Sequence, residues 1–570
     1  MATKSKLTNK EIGSASPKIY NRLRSTIESA FYRNNVIEVT SLKQAYELAK
    51  NCPGTIVTDL PIVKAKELGL PQDAKVLLFN DGFITGRQAR LRRIANDQTR
   101  DTYAGQVREV LFQGCRKTMY HAVAYIGLDK DFMVKAHLLI PQGYENTLYS
   151  WLLNFQISDR ASDLLYSQSR LIEEGDVFIY SDPDCTTADY PNGLALFDPE
   201  YNCACLLGMR YFGEHKKGTL TLGWSIAQRQ GYTACHGGQK RFNLEGGKEK
   251  VISVFGLSGS GKSTITLSDH NGKMNTTVLH DDAFIINNTD GSSISLEPSY
   301  FDKTQDYPLT KDQSKYFLTI QNCGATVNDE GKVVPVTEDI LNGNGRTVKS
   351  RFAAMNRKYK FEKSTDAIFW IMKDATLPPV VKVNDPALAS AMGATLATKR
   401  TTAEYIPGED PNKLVIVPYA NPFRLYPLAK DYESFKSLFA NKEFNVDCYI
   451  INTGFFGDKK ITPAVTLGLI EDIVNEKATF VKFGPFSSLE YLPIEGFEPN
   501  FKDAAYCKDV KARMLDRYKF VADLDEYNAL PKEALDALKK VSSEMKVSEP
   551  KKETAAKKPA AKKTTKKASK

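Results

Sequence analysis

Long apolar runs are missing from this chain of 570 residues. No stretch approaches the roughly 18 apolar residues that a membrane-spanning helix requires, and the polar N-terminus has no apolar signal core. The nine cysteines form no C-x-x-C pair, a spacing typical of many metal and redox motifs. These absences predict a soluble protein of the reducing cytoplasm that has no membrane partner.

Excess positive charge is also scarce, except in one segment. The formal net charge is +9, but residues 551–570 hold nine Lys and one Glu, so the rest of the chain is nearly neutral. This segment lacks apolar periodicity, and we therefore predict that residues 546–570 form a disordered Lys-rich tail. Two interpretations stay open: a solvated solubility tail, or electrostatic docking on nucleic acid, an anionic membrane or an acidic partner.

A glycine-rich segment is the most informative feature that is present. Residues 251–255 indicate a buried strand, and the pattern G-x-x-x-x-G-K-S follows directly. In this pattern backbone N–H groups surround phosphate oxygens, Lys262 reaches the β- and γ-phosphates, and the Ser263 hydroxyl ligates the Mg²⁺ of the nucleotide. The predicted nucleoside triphosphate site consists of Gly256, Leu257, Ser258, Gly259, Ser260, Gly261, Lys262, Ser263 and Thr264.

A pair of carboxylates follows the glycine-rich segment. The apolar stretch that begins at Val278 ends at Asp281 and Asp282. Two adjacent aspartates alone are common on protein surfaces. After a phosphate-binding loop, however, this is where such enzymes hold their metal, and we therefore predict a metal role for the pair.

Strand and helix signals alternate along the chain. Apolar residues at steps of four predict a helix from Ile19 to Phe31, and Ser41 is a predicted cap for a second one. Further predicted elements are strands at residues 75–79, 251–255, 367–372, 414–417 and 448–451 and a helix from Thr462-Pro463. The mixture predicts an α/β protein, and the length predicts two domains with a boundary near residue 230.

Further motifs occur together with the glycine-rich loop and the aspartate pair. The block Tyr-Phe-Gly-Glu-His-Lys-Lys-Gly at residues 211–218 is followed by Cys-His-Gly at 235–237. In this order the four elements resemble ATP-dependent phosphoenolpyruvate carboxykinase. Residues 85–87 (Thr-Gly-Arg), 377–379 (Leu-Pro-Pro) and 452–454 (Asn-Thr-Gly) extend the resemblance to roughly residues 75–480.

The resemblance implies a two-domain α/β fold of the carboxykinase type with a P-loop mononucleotide-binding domain. Residues 1–230 would form the substrate-side domain and residues 231–545 the nucleotide-binding catalytic domain. The implied reaction converts oxaloacetate and ATP into phosphoenolpyruvate, ADP and CO₂, in gluconeogenesis or in the reverse, carboxylating direction.

The resemblance also implies roles for particular residues. The implied catalytic residues are Arg87, Tyr211, Lys217, Ser258, Lys262 and Arg346. The implied metal ligands are Lys217, His236 and Asp282 for Mn²⁺, with Ser263 on the Mg²⁺ of ATP, and Glu297 joins the predicted nucleotide-binding set. A lysine ligates only when neutral, so the pKa of Lys217 must be lowered by the metal and by its neighbour Lys216.

The chain departs from the family pattern in places. Where the family has Thr-Glu-Arg-Gly, residues 402–406 contain no arginine, and Arg400 is the nearest substitute. The stretch before the Leu-Pro-Pro turn is shortened, so the chain resembles a divergent member. Two other functions stay open: a protein kinase of the HPr kinase type, and a non-catalytic scaffold that binds nucleotide.

Overall fold

The computed structural model describes residues 21–80, 92–257, 259–340, 344–354, 356–399, 410 and 413–546. Several predicted features lie outside these ranges: Arg87, Ser258, residues 400–406 and the Lys-rich tail beyond residue 546. Their assigned roles stay predictions.

The α-helices of the described ranges are distributed along the whole chain. In chain order they are α1 (Arg22–Ser29), α2 (Leu42–Lys50), α3 (Arg100–Gln113), α4 (Glu145–Asn154), α5 (Arg160–Ser167), α6 (Phe212–Arg229), α7 (Lys262–Leu267), α8 (Pro386–Ala394), α9 (Leu428–Ala440), α10 (Pro463–Val474), α11 (Ala504–Ala522) and α12 (Lys532–Glu544). None of them combines the length and apolar character needed to cross a membrane.

The strands outnumber the helices, and most of them are short. Those before residue 300 are β1 (Val36–Val39), β2 (Thr55–Pro61), β3 (Lys75–Phe79), β4 (Arg92–Ile94), β5 (Met119–Asp129), β6 (Phe132–Pro141), β7 (Gln156–Ile157), β8 (Val177–Asp182), β9 (Leu194–Asp198), β10 (Cys203–Leu207), β11 (Tyr232–His236), β12 (Gly238–Asn243), β13 (Glu249–Phe255), β14 (Thr276–His280), β15 (Ala283–Asn287) and β16 (Ser293–Ser295). The remaining strands are β17 (Tyr300–Lys303), β18 (Phe317–Gln321), β19 (Cys323–Val327), β20 (Val333–Ile340), β21 (Arg346–Lys349), β22 (Lys360–Phe361), β23 (Ala367–Met372), β24 (Val380–Val383), β25 (Ala397–Lys399), β26 (Leu414–Ile416), β27 (Asp447–Asn452), β28 (Phe455–Phe456), β29 (Lys459–Lys460), β30 (Val481–Lys482) and β31 (Leu489–Tyr491).

The predicted helix starts are confirmed by their caps. Ser41 accepts a hydrogen bond from the backbone N–H of Gln44 at the start of α2. Thr462 caps α10 in the same way, with Pro463 in its first turn, where the missing N–H of proline costs nothing. The predicted strands and the α/β class are also confirmed, and the order of the strands adds what periodicity did not predict.

The first large sheet consists of strands from residues 36–207. Its order is β1-β5-β6-β8-β10-β9-β4, and β7 pairs with β5. Alternate residues of each strand face two different cores. Leu139 and Phe178 face the core that α1 and α3 cover, whereas Leu138 and Ile179 face the larger core that contains α4 and α6.

The second large sheet has the order β14-β12-β13-β23-β27-β24-β31-β30. Strands β13, β23 and β27 are parallel neighbours, so their carboxyl ends lie at one edge. In open α/β sheets this edge is where ligands bind. The glycine-rich loop follows β13 and therefore lies at this edge.

Two smaller sheets complete the region around the site. One has the order β17-β21-β18-β3-β2, and its Leu77 pairs in parallel with Thr319. Strands from both sides of residue 230 thus share one sheet. The domain boundary near this residue stays a prediction. The other sheet, β11-β15-β16-β22, carries His236 at the end of β11.

Candidate active site

The glycine-rich loop connects β13 to α7, and steric constraints explain why glycines occupy its positions. Gly259 and Gly261 have φ angles of +75° and +100°, which residues with a Cβ rarely adopt. A Cβ on Gly256 would lie 2.3 Å from the Ser260 Oγ. Helix α7 then begins at Lys262, so the free N–H groups of its first turn face the same space as the loop.

Two neighbouring strand ends hold the loop in place. After β27, the Thr453 hydroxyl donates to the Ser260 carbonyl at 2.7 Å. After β23, the Lys373 ammonium donates to the Gly259 carbonyl at 3.0 Å. Thr453 belongs to the Asn-Thr-Gly motif of residues 452–454, which therefore supports the backbone of the loop from the side.

The aspartate pair occupies the turn between β14 and β15. The backbone N–H groups of Asp282 and Ala283 both donate to the His280 Nδ1 at 3.0 Å, and the other ring nitrogen of His280 contacts the Ser299 carbonyl. Because His280 is fully buried, its pKa is well below the usual value, and the ring stays neutral. A neutral ring with its proton on Nε2 accepts both N–H groups and thus fixes the turn that carries Asp282.

Three lysine ammonium groups surround the Asp282 carboxylate. Helix α6 contributes Lys216 at 2.7 Å and Lys217 at 2.9 Å, and the glycine-rich loop contributes Lys262 at 3.5 Å. Lys216 also lies 3.0 Å from a Glu297 carboxylate oxygen and has no exposed side-chain surface. Three cationic side chains therefore share the Asp282 carboxylate, and Glu297 pairs with one of them.

Burial and charge shift the pKa values of the cluster in opposite directions. Burial alone would raise the pKa of Asp282, but the three lysines hold it well below its usual range. Burial lowers the pKa of Lys217 to about 8, and the neighbouring cations Lys216 and Lys262 contribute to this shift against the attraction of Asp282. A neutral amine is thus more accessible at Lys217 than at an ordinary lysine.

His236 faces Asp282 with one ring nitrogen and a backbone carbonyl with the other. Its Nε2 lies 2.9 Å from an Asp282 carboxylate oxygen, and its Nδ1 hydrogen bonds to the Ala420 carbonyl. Burial, with help from Lys217 and Lys262, lowers the pKa of His236 to about 4, so the ring is neutral near pH 7. Because a carbonyl oxygen only accepts, the single ring proton lies on Nδ1.

The lone pair of His236 Nε2 therefore faces an Asp282 carboxylate oxygen 2.9 Å away, a placement in which both atoms can ligate one cation. Among the described residues, no group of three or more His, Cys, Asp or Glu side chains is arranged to hold a metal ion. The candidate set instead combines one imidazole, one carboxylate and the Lys217 amine, which lies 2.9 Å from the same carboxylate. The nitrogen and oxygen donors present fit a divalent cation.

The cluster forms part of the wall of a cavity of about 310 Å³. Arg346, at the start of β21, lines it and is oriented by a 2.7 Å hydrogen bond to Asn344. Tyr211, which precedes α6, also lines it, and burial raises the pKa of its phenol. The cavity thus joins the glycine-rich loop, the Asp282 cluster and an arginine in one space.

Most of the described candidate residues lie together. The cavity wall contains Tyr211, Lys217, His236, Leu257, Gly259, Gly261, Lys262, Ser263, Thr264, Asp282 and Arg346. Gly256 and Ser260 support the loop and are not in the wall. Glu297 is not in the wall either: it is fully buried behind Lys216, and burial raises its pKa to about 7. Its predicted contact with nucleotide stays a prediction.

Sequence reasoning missed three contributors to the site. Lys216 was interpreted only as a neighbour of Lys217, although it bridges Asp282 and Glu297. Ala420 and Phe423 come from a segment without any motif, yet one contacts His236 and the other places its ring 4.9 Å from the Lys217 ammonium. No local pattern indicates such contacts, because they depend on how distant segments pack.

Parallel strands that end in a glycine-rich loop, next to a carboxylate surrounded by amines, are typical of α/β enzymes of phosphoryl transfer. Comparison with known proteins makes this class specific. A family model described as phosphoenolpyruvate carboxykinase matches residues 72–491, and the chain belongs to this family.

Two relatives show the same similarity at low identity. A phosphoenolpyruvate carboxykinase (ATP) of Aeropyrum pernix is 26% identical over 365 residues, which cover 61% of this chain and 73% of the relative. A phosphoenolpyruvate carboxykinase (ATP) of Dictyostelium discoideum is 22% identical over 433 residues, which cover 70% of this chain and 73% of the relative. The chain is therefore a divergent member, as its altered motifs indicated.

Proposed function

We propose that this protein uses ATP to convert oxaloacetate into phosphoenolpyruvate, with release of ADP and CO₂. The observation that carries the proposal is the carboxykinase match over residues 72–491, a range that contains the whole described Asp282 cluster. The reaction develops negative charge on the substrate and on the transferred phosphoryl group. Cationic groups on a water-poor wall are what such a reaction needs.

The chemistry has two stages. Loss of CO₂ breaks the bond between C3 and C4 of oxaloacetate and leaves the electron pair on an enolate. The enolate oxygen then attacks the γ-phosphorus of ATP, and the bond to the β–γ bridging oxygen breaks, so ADP leaves with that electron pair. Both stages require that the reacting groups are held in line and away from water.

The residues of the cavity have separate tasks in these stages. Lys262 and the N–H groups of the glycine-rich loop bind the β- and γ-phosphates, and Arg346 neutralises the phosphoryl group during transfer. Tyr211 keeps its proton and donates it in a hydrogen bond on the substrate side. Arg87, as a bidentate carboxylate clamp, and Ser258, in the substrate pocket, complete the set through the family resemblance alone.

Carboxykinases of this family generally depend on divalent metals, and the donors described above would hold them. Lys217, His236 and Asp282 would hold Mn²⁺, and Ser263 would hold the Mg²⁺ that accompanies ATP. Bound there, the metal supplies Lewis-acid stabilisation of negative charge on oxygen. The lowered pKa of Lys217 supports this role, because only its neutral amine has a lone pair to donate.

The two alternatives gain no support. A protein kinase of the HPr kinase type gives no reason for the amines of residues 216 and 217 to meet the aspartate of residue 282. A non-catalytic scaffold has no need for the buried cluster, which costs desolvation energy to maintain.

The test is the reaction itself. Purified protein is incubated with oxaloacetate and Mn²⁺ with either ATP or GTP, and phosphoenolpyruvate is quantified. We expect ATP-dependent product that is lost in Lys262→Ala and kept in the exposed control Lys315→Ala. Measurable ATP binding without product from either nucleotide would overturn the proposal. Product with GTP alone would overturn the choice of nucleotide.

A further inference from the structure

We infer that residues 419–423, here named the 419–423 loop, form a positioning element that selects the ring tautomer of His236 and thereby sets the affinity of the candidate metal centre. The inference rests on the proposed function, because it treats His236 as a metal ligand. No motif marks this loop. It lies between β26 and α9 and contacts the site through one backbone carbonyl and one aromatic ring.

The first observation is the contact with His236. Its Nδ1–H donates to the Ala420 carbonyl, which leaves the lone pair on Nε2, directed at Asp282. A metal bound at Nε2 needs this tautomer. The opposite tautomer would place a proton where the metal must bind.

The second observation is the backbone of the loop. Tyr419 and Ala420 both have a φ angle of +53°, and neither is a glycine. Left-handed backbone is unfavourable for residues with a Cβ, so two consecutive cases must be held by their surroundings. The unfavourable conformation is the one in which the Ala420 carbonyl meets the imidazole.

The third observation is that both ends of the loop are anchored. The Tyr419 side chain is buried, its hydroxyl lies 3.0 Å from the Ser390 Oγ, and its ring stacks on Phe435 with centroids 4.8 Å apart. At the other end the Thr221 hydroxyl donates to the Phe423 carbonyl. Thr221 lies on α6, the helix that carries Lys217, so one loop is tied to two of the three proposed ligands.

The Phe423 ring completes the arrangement. It lies edge-on to the His236 ring with centroids 5.4 Å apart and has the Lys217 ammonium 4.9 Å from its centre. The ring thus restricts the imidazole to one orientation and covers the amine against water. Groups that orient metal ligands in this way typically contribute about 10- to 100-fold to metal affinity.

The test uses protein labelled with ¹⁵N in its six histidines. Side-chain ¹⁵N shifts report which nitrogen carries the proton, and a His236→Gln variant assigns the signal. We expect His236 to be protonated on Nδ1 in the metal-free wild type. A proton on Nε2 instead would overturn the inference without any reference to catalysis.

Mn²⁺ affinity, measured from the signal of free Mn²⁺ by electron paramagnetic resonance, supplies the second readout. Thr221→Val removes the hydroxyl that anchors the Phe423 carbonyl, and Tyr419→Phe removes the hydroxyl that contacts Ser390 while the ring keeps its packing. We expect the two variants to bind Mn²⁺ about 10-fold more weakly and to show a mixture of His236 tautomers. Ala420→Gly is the control: a glycine adopts the φ angle of +53° without the Cβ penalty, so the loop conformation is kept and neither readout should change.

The outcomes separate the two proposals. If the wild type forms phosphoenolpyruvate and His236→Gln loses Mn²⁺ binding, while Thr221→Val and Tyr419→Phe both keep the wild-type affinity and tautomer, the inference fails and the proposed function stands. If His236→Gln binds Mn²⁺ as tightly as the wild type, the proposed metal centre fails and the inference fails with it.

Discussion

Two buried polar clusters of this protein differ in how their charges are arranged. Around Asp282, three amines converge on one carboxylate at the wall of a cavity. In the first sheet, Glu38, His121, His137 and Asp176 form a line in which each imidazole contacts a carboxylate and the other imidazole, at distances of 2.6, 3.0 and 3.1 Å.

The surroundings of the second cluster explain the difference. The Phe178 ring stacks on His137 with centroids 4.4 Å apart, and Phe31 lies edge-on to His121. Aromatic packing covers the two imidazoles, and every ring nitrogen has its partner within the protein. Burial of charged groups alone therefore does not identify a reactive site. Charged groups with shifted pKa values that converge on the wall of a cavity are the better indicator.

The same substitution in both clusters distinguishes a catalytic role from a structural one. Asp282→Asn removes the carboxylate that three amines share, and we expect the rate of phosphoenolpyruvate formation to fall by about 100- to 1000-fold. The rate is measured at saturating ATP and Mn²⁺. A variant with more than half of the wild-type rate would remove Asp282 from the catalytic groups.

Asp176→Asn is the counterpart in the first sheet and should act on stability. Burial raises the pKa of Asp176, but the hydrogen bond from His137 and the charges of His137, Lys135 and Arg24 together outweigh burial and keep this pKa below its usual value. The asparagine oxygen still accepts from the His137 ring, but the hydrogen bond to a charged group becomes one to a neutral group, and we expect the free energy of unfolding to fall by about 1–2 kcal/mol. Urea unfolding measures the change, and the turnover rate should stay at the wild-type value. A large loss of turnover would contradict the distinction between the clusters.

A third buried cluster, in which Lys240 contacts His270, should make the stability of the protein depend on pH. Lys240 is fully buried and lies 2.8 Å from the His270 Nε2, and burial lowers its pKa to about 7 despite the attraction of Asp269 and Glu471. The unfolded chain keeps the proton of this lysine up to about pH 10.5, so between these values the unfolded state binds more protons. Stability therefore rises with pH from about 7 upward, by at most about 1.4 kcal/mol per pH unit.

The measurement is urea unfolding at pH 7, 8 and 9 for the wild type, Lys240→Met and the exposed control Lys315→Met. We expect the free energy of unfolding of Lys240→Met to rise less steeply with pH than that of the wild type and of the control, because the variant lacks the titrating lysine. Equal slopes in all three proteins would show that Lys240 keeps its proton when folded.

The parts of the site that local sequence determines were predictable. The strand before the glycine-rich loop, the positions of its glycines and the cap at Thr462 all follow from short-range sterics and hydrogen bonding. The pairing of His236 with Asp282 followed only from the resemblance, because it depends on the pairing of β11 with β15, which local sequence does not reveal. Arg346 was predicted in the same way, and it does line the cavity.

What sequence did not predict is set by contacts between distant segments. The Ala420 carbonyl contacts His236 from 184 residues away in sequence, and a carbonyl has no sequence signature. Lys216 and Glu297 pair in the interior, where composition alone would place neither. The strand order was also unpredicted, since periodicity identifies strands but not their neighbours.

The sheet that joins β3 to β18 has a consequence for how the chain folds during synthesis. Leu77 cannot pair with Thr319 until that strand has left the ribosome. At about 5–20 residues per second this interval lasts roughly 10–50 s, and one edge of β3 stays unpaired throughout. An exposed strand edge is a site of association between nascent chains, so we expect β2 and β3 to be where chaperones protect this protein before its sheet is complete.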